Sequence, residues 1–176
     1  MWKKLSYGLL LFVFILSLSI NLIVWDLDFY ESENVNLDAV KEIRFFYFGC
    51  SLTGYSDIEV MHMGDVRILI WMNVVLCLGL FVFLLFKLRD FLFSGLFSLV
   101  LTTVVLCFAY FAFDFIFLWF HKIFFFNDYW LLPQGSKLIT LFSLEFFNNA
   151  FLQVILYMIL LSVFVIALGL KYRRKK

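Results

Sequence analysis

Four stretches of the chain are predominantly apolar and carry no charged residue: 5–25, 68–86, 91–113 and 146–170. Each is closed at both ends by charge, at Lys4 and Asp26, Arg67 and Lys87, Asp90 and Asp114, and Glu145 and Lys171. Their lengths of 19 to 25 residues correspond, at ~1.5 Å of rise per residue, to roughly 30 Å or more of helix, the thickness of a bilayer's hydrocarbon core. Lipid offers no hydrogen bonds, so each backbone crossing must satisfy itself internally, which a helix does and an open strand does not. The pattern therefore predicts an all-α membrane protein with four transmembrane helices. The two long connections, 26–67 and 114–145, are expected to form a small extracytoplasmic cap over a single membrane-embedded domain spanning 1–176.

Composition narrows this further. Apolar residues make up 65% of the 176 positions and charged residues 15%, with 26 Phe and a single Pro. A soluble enzyme is about a quarter charged, and a disordered chain lacks such aromatic and aliphatic content. No internal repeat, Gly/Ser linker or low-complexity tract divides the chain. The first stretch begins after Lys3 and Lys4 like a signal peptide, but its apolar run is too long for a signal core and no Ala-x-Ala site follows. It is expected to remain as an anchor, and an even number of crossings then places both termini on one side.

Net charge is only +1, which conceals a strong asymmetry. The two ends and the 87–90 connection hold Lys3, Lys4, Lys87, Arg89, Lys171, Arg173, Arg174, Lys175 and Lys176 against Asp90 alone, whereas 12 carboxylates lie in the two long connections with only Lys41, Arg44, Arg67, Lys122 and Lys137. Lysine and arginine accumulate on the cytoplasmic side of membrane proteins, so both termini are expected in the cytoplasm of a cell whose cytoplasmic membrane holds the chain. The basic C-terminal tail suits anionic lipid headgroups better than nucleic acid. Connection 26–67 is acidic at its start, with Asp26, Asp28, Glu31, Glu33 and Asp38. Connection 114–145 is aromatic, with Phe115, Phe117, Trp119, Phe120, Phe124, Phe125, Phe126, Tyr129 and Trp130 inside 16 positions, a density suited to the headgroup level of the outer interface.

Cys77 and Cys107 fall within apolar stretches and Cys50 lies outside them. None has the spacing of a metal site or redox pair, which argues against a disulfide-forming membrane enzyme. The two histidines are more informative. His62 stands in Glu59-Val60-Met61-His62-Met63-Gly64-Asp65-Val66-Arg67; if the second helix starts early, Glu59, His62 and Asp65 share a face. Asp114 and His121, seven apart, share a face if the third helix continues. Both imidazoles would then lie about 9 to 10 Å beyond their apolar stretches on the same side. A carboxylate on the same face can hold an imidazole in one tautomer, useful to an acid or base and equally to a metal ligand. Two interfacial histidines without chemistry would look the same by spacing alone. Asn21, Asn148, Asn149 and Gln153, in or near the apolar stretches, are expected as interhelical hydrogen-bonding residues.

A resemblance adds what spacing does not. The motif Glu59-x-x-His62-Met63-x-Asp65-Val66-Arg67, then Phe120-His121-x-x-Phe124-Phe125, Trp130-x-x-Pro133, and Leu138-Ile139-x-x-Phe142 leading to Phe146-Phe147, resembles the bacterial lipoprotein intramolecular transacylases, four-pass membrane proteins. The resemblance runs from about Glu59 to Phe147. It departs from the family in a shorter first outer connection and in Ser143, where a proline commonly follows the aromatic residue.

The resemblance implies an enzyme without a cofactor or metal that moves the sn-2 acyl chain of a diacylglyceryl-cysteine lipoprotein onto that cysteine's α-amine, giving the lyso form. Its partners would be the lipoprotein and membrane lipid, with no nucleic acid and no oligomeric state specified. The catalytic pair would be His62 and His121, with Glu59, Asp65 and Asp114 supporting them and Arg67 and Trp130 contacting substrate. An α-amine is mostly protonated at neutral pH and must lose a proton before attacking an ester, a task matched to a neutral histidine. His62 is assigned here as that base and His121 as the group that stabilises the oxyanion or protonates the leaving oxygen, an order open to reversal. Arg67 otherwise reads as a snorkelling end residue, and Trp130 and Pro133 as an interface anchor and a turn. The competing function is a non-enzymatic scaffold or sensor that binds a partner through the acidic connection. A third reading makes the histidines haem or metal ligands, but two imidazoles without a third ligand form a weak site.

Overall fold

The computed structural model describes residues 2–87, without the Lys87 side chain, and 90–173. Of the basic residues used above for orientation, Arg89, Arg174, Lys175 and Lys176 lie outside the described residues. The described residues form seven helices: α1 (Trp2–Trp25), α2 (Leu27–Ser32), α3 (Leu37–Tyr47), α4 (Asp57–Lys87), α5 (Phe91–Phe124), α6 (Lys137–Leu141) and α7 (Leu144–Arg173). No strand occurs among the described residues. α1, α4, α5 and α7 are long and apolar enough to cross a membrane.

α4 and α5 contain 31 and 34 residues, or roughly 46 and 51 Å of helix at ~1.5 Å per residue, well beyond a hydrocarbon core. The excess of both lies at the same end. α4 begins eleven residues before its charge-free run, and α5 continues past Asp114, breaking direction at Ala112 (φ −142°, ψ 34°) where its own charge-free run ends. The conditions under which each histidine would ride on a helix beyond its apolar stretch are thus met.

The short helices at that end start on side-chain caps. Asp26 accepts from the amides of Asp28 and Phe29 at 3.1 and 3.2 Å, and Asn36 accepts from those of Asp38 and Ala39 at 2.9 and 3.1 Å. Each satisfies N–H groups that a helix start leaves unpaired. Ser143 does the same for α7, its hydroxyl accepting from the Phe146 amide at 3.2 Å. Ser143, noted above as a departure from the resembled motif, therefore supplies a cap.

Within the bundle, α1 meets α4, α5 and α7, and α5 packs closely along α7. The α5/α7 contact is built on small residues. A Cβ added to Gly95 would stand 2.8 Å from Ile166 Cγ1, and one added to Gly169 would stand 2.5 Å from the Leu92 backbone nitrogen. Ser98 and Ser162, both fully buried, share a hydroxyl hydrogen bond of 3.0 Å. Small residues let two backbones approach where lipid gives helices no hydrophobic reason to associate. α4 is held to α1 by a polar clasp: the Ser17 hydroxyl donates to Asn73 Oδ1 at 2.8 Å and the Asn73 amide returns a bond to the Ser17 carbonyl at 3.1 Å. Asn73 therefore performs the role expected of Asn21, which instead bonds its own helix at the Ser17 carbonyl. Asn149 reaches out of α7 to Glu33 at 2.8 Å. Along their lengths, α4 and α5 make no contact comparable to those α4 makes with α1.

Above the bundle, α3 and α6 lie against the first turns of α4. Ile43 and Phe46 of α3, Met63 of α4 and Leu138 of α6 form a buried apolar cluster separate from the main core. Trp71 Nε1 donates to the Tyr47 carbonyl at 3.0 Å, and the Arg44 guanidinium lies 5.7 and 5.4 Å from the rings of Trp25 and Tyr30, contacts at cation–π range.

Candidate functional site

His62 sits in the second turn of α4 and His121 in the last turn of α5. Although the two helices barely touch lower down, the imidazole rings approach to 6.3 Å between centroids with their planes 28° apart. Phe125, the first residue after α5 and only 5% exposed, is 5.0 Å from His62 and 5.4 Å from His121. Phe117 lies 4.4 Å from His121, one turn back along α5, and Trp130 lies 5.2 Å from it. The result is a pair of imidazoles from different segments, enclosed by aromatic rings.

One contact fixes a tautomer. His121 Nδ1 is 2.7 Å from the Phe117 carbonyl oxygen. A carbonyl only accepts, so neutral His121 carries its proton on Nδ1 and presents the Nε2 lone pair. Only 9% of His121 is exposed. The Nδ1 of His62 is buried and has no hydrogen-bond partner among the described residues.

The residues expected to support this pair divide. Asp65 is close by, and its Oδ2 accepts from the Asn127 side-chain amide at 2.8 Å. Glu59 shares the face of His62 but its carboxylate is engaged elsewhere. Its Oε2 accepts from the amide and hydroxyl of Ser56, both at 2.8 Å, and its Oε1 from the Leu138 amide at 2.9 Å. With the Ser56 hydroxyl accepting in return from the Glu59 amide at 3.4 Å, this is a reciprocal cap at the start of α4 that also caps α6. Glu59 is 3% exposed and holds the cap together; no hydrogen bond joins it to His62 among those of the described residues. Asp114 is exposed and makes no hydrogen bond to His121. Both lie beyond the break at Ala112, and two helical turns, ~10 Å, separate them.

Arg67 donates from Nη1 to the Phe46 carbonyl at 3.5 Å, and its guanidinium lies 4.9 Å from the Phe46 ring, so it buttresses α3. Trp130 does reach the site, against His121. Nearby, Lys137 Nζ stands 3.8 Å over the Tyr55 ring and 4.0 Å from Glu42. The Thr53 hydroxyl and amide, both 2.7 Å from Glu42 Oε1, hold that carboxyl below the usual carboxylate range. Burial pushes the Tyr55 phenol up to about 12. Among the described residues no group of three or more His, Cys, Asp or Glu side chains is arranged as a metal site.

Comparisons with known proteins bear on the fold and the family. No curated protein sequence matches the chain significantly. Among solved structures, the membrane-integral lipoprotein intramolecular transacylase Lit from Bacillus cereus superposes with a TM-score of 0.73, covering 99% of this chain and 97% of that one at 17% identity. A structure of the same bacterial protein with one histidine replaced by arginine gives 0.69 at 19% identity, covering 99% of this chain and 92% of the other. At such identities the likeness establishes the fold. The family model described as lipoprotein intramolecular transacylase Lit matches residues 50–147, more than half of the chain and the whole stretch that carries both histidines. This chain is a multi-pass membrane protein and belongs to the lipoprotein intramolecular transacylase family of enzymes.

Proposed function

We propose that this protein transfers the sn-2 acyl chain of a diacylglyceryl-cysteine lipoprotein to that cysteine's α-amine, at the outer face of the cytoplasmic membrane, with His62 and His121 as the catalytic pair. The observation that carries this reading is the convergence of the two imidazoles to 6.3 Å at the top of helices that otherwise stay apart. The charge asymmetry supports an orientation with both termini in the cytoplasm.

In the reaction a bond forms between the amine nitrogen and the acyl carbon, and the bond from that carbon to the sn-2 glycerol oxygen breaks. One proton leaves the amine and one reaches the glycerol oxygen. His121 is the better base on this geometry, which reverses the order assigned from the sequence: its Nδ1–H is committed to Phe117, so Nε2 is the nitrogen that accepts. The Phe117 carbonyl also steadies the imidazolium that results. His62, across the pair, is placed to donate to the oxyanion or the departing oxygen. A proton on one ring disfavours a second on the other at this separation, so the pair passes a single proton. Nucleophile and ester belong to one molecule, and the protein's contribution is to hold them in attacking geometry.

Mass spectrometry of the N-terminal peptide of a reporter lipoprotein tests the reading. Co-expressed with this protein in a host lacking N-acylation, the reporter is expected to carry an N-acyl, S-monoacylglyceryl cysteine. A reporter that stays diacylglyceryl while the protein is demonstrably in the membrane overturns it and favours the scaffold.

A further inference from the structure

The histidines ride on α4 and α5, yet these helices lack a lengthwise contact of the kind that joins α4 to α1. α1 packs against both and spaces them within the bundle; above it, the distance between the rings also depends on what joins the two helix ends. The segment that follows α5 crosses back over α4, and among the described residues its first polar attachment there is Asn127, before the Leu138 amide reaches Glu59. Its Nδ2 donates to Asp65 Oδ2 at 2.8 Å, and its Oδ1 accepts from the Tyr129 amide at 3.0 Å. The first bond joins the segment to α4 three residues beyond His62, almost one turn along the same face. The second is a local turn closed by the asparagine side chain, which sets the path toward Trp130. Two residues before Asn127, Phe125 touches both imidazoles, and three residues after it Trp130 touches His121.

We infer that Asn127 is a positioning residue for the reaction: by clamping the 125–130 segment to Asp65 it sets the spacing of His62 and His121 and seats Phe125 and Trp130 over them. Asp65 is the other half of the clamp, its carboxylate anchoring the loop. This inference rests on the proposed transacylation only for its kinetic readout.

The closing experiment uses the full chain in lipid nanodiscs, with single variants and a swap. Asn127→Asp keeps the acceptor for the Tyr129 amide but faces the Asp65 carboxylate with a second one, and the rate of lyso-form production is expected to fall about 10- to 100-fold, as befits a small misplacement of reacting groups. The double variant Asp65→Asn with Asn127→Asp restores a hydrogen bond with donor and acceptor exchanged, and is expected to recover most of that rate. 4-Fluorophenylalanine at position 125 reports the segment directly: its fluorine resonance is expected to move or broaden in Asn127→Asp and return in the swap. An unchanged resonance and rate in Asn127→Asp overturns the inference, as does a swap that restores neither. Should the wild-type protein make no lyso form, the reaction fails as a reading and the fluorine resonances alone decide the clamp.

Discussion

Loss of lyso-form product, by at least 100-fold, is the expected result for both His62→Ala and His121→Ala, with each variant reaching the membrane in normal amount. General acid–base groups typically contribute 10²- to 10⁴-fold, and two groups that pass one proton fail together, so the double variant is expected to be little worse than either single one. The variants should nevertheless differ. His121→Gln restores a side-chain donor that can reach the Phe117 carbonyl but supplies no base, and is expected to be as inactive as His121→Ala. His62→Gln retains a donor for the developing oxyanion and is expected to keep more activity than His62→Ala. Single-turnover rates on a diacylglyceryl peptide in nanodiscs measure both; equal rates for all four variants would remove the assignment of His121 as base.

The second large effect is on folding. Glu59→Ala removes a carboxylate that is 3% exposed and strands the Leu138 and Ser56 amides it had satisfied. Hydrogen bonds to a charged group contribute ~1.5 to 3 kcal/mol each and a stranded buried donor ~1 to 3. Because the losses overlap, an overall destabilisation of about 3 kcal/mol is expected. Thermal unfolding in detergent measures it, and activity should follow stability: Glu59→Ala regains product on cooling, whereas His62→Ala does not. A Glu59→Ala protein as stable as wild type and catalytically dead at every temperature would return the carboxylate to the chemistry.

That prediction also marks where the sequence could be read and where it could not. Four charge-free runs located the long helices, because no water competes for backbone groups inside a bilayer. The histidines were visible as the only two imidazoles, each beside a carboxylate at helical spacing. Spacing on a helix says which residues share a face, but not which neighbour claims a carboxylate. Glu59 went to Ser56 and to Leu138, 79 positions away, and that contact has no periodicity to reveal it. Asp114 shares a helical face with His121, but seven residues of helix put ~10 Å between them, and a shared face does not by itself make a contact. Asn127 had only a local signal, an Asn-Asp pair of the kind that closes turns; its bond to Asp65 lies 62 positions away and emerges only in the folded chain.

The placement of both histidines at the ends of membrane-spanning helices bears on how a substrate and this site would meet. A site at the ends of membrane helices is met by molecules already anchored in the bilayer, and on the proposed chemistry both reactant and product keep fatty chains. Encounter is then a search over an area instead of a volume. Its natural concentration scale is the number of lipoproteins per lipid molecule, so the surrounding aqueous volume drops out of the rate. A poor affinity by the standards of soluble enzymes would suffice, because confinement to the leaflet has already supplied much of the concentration that tight binding otherwise provides.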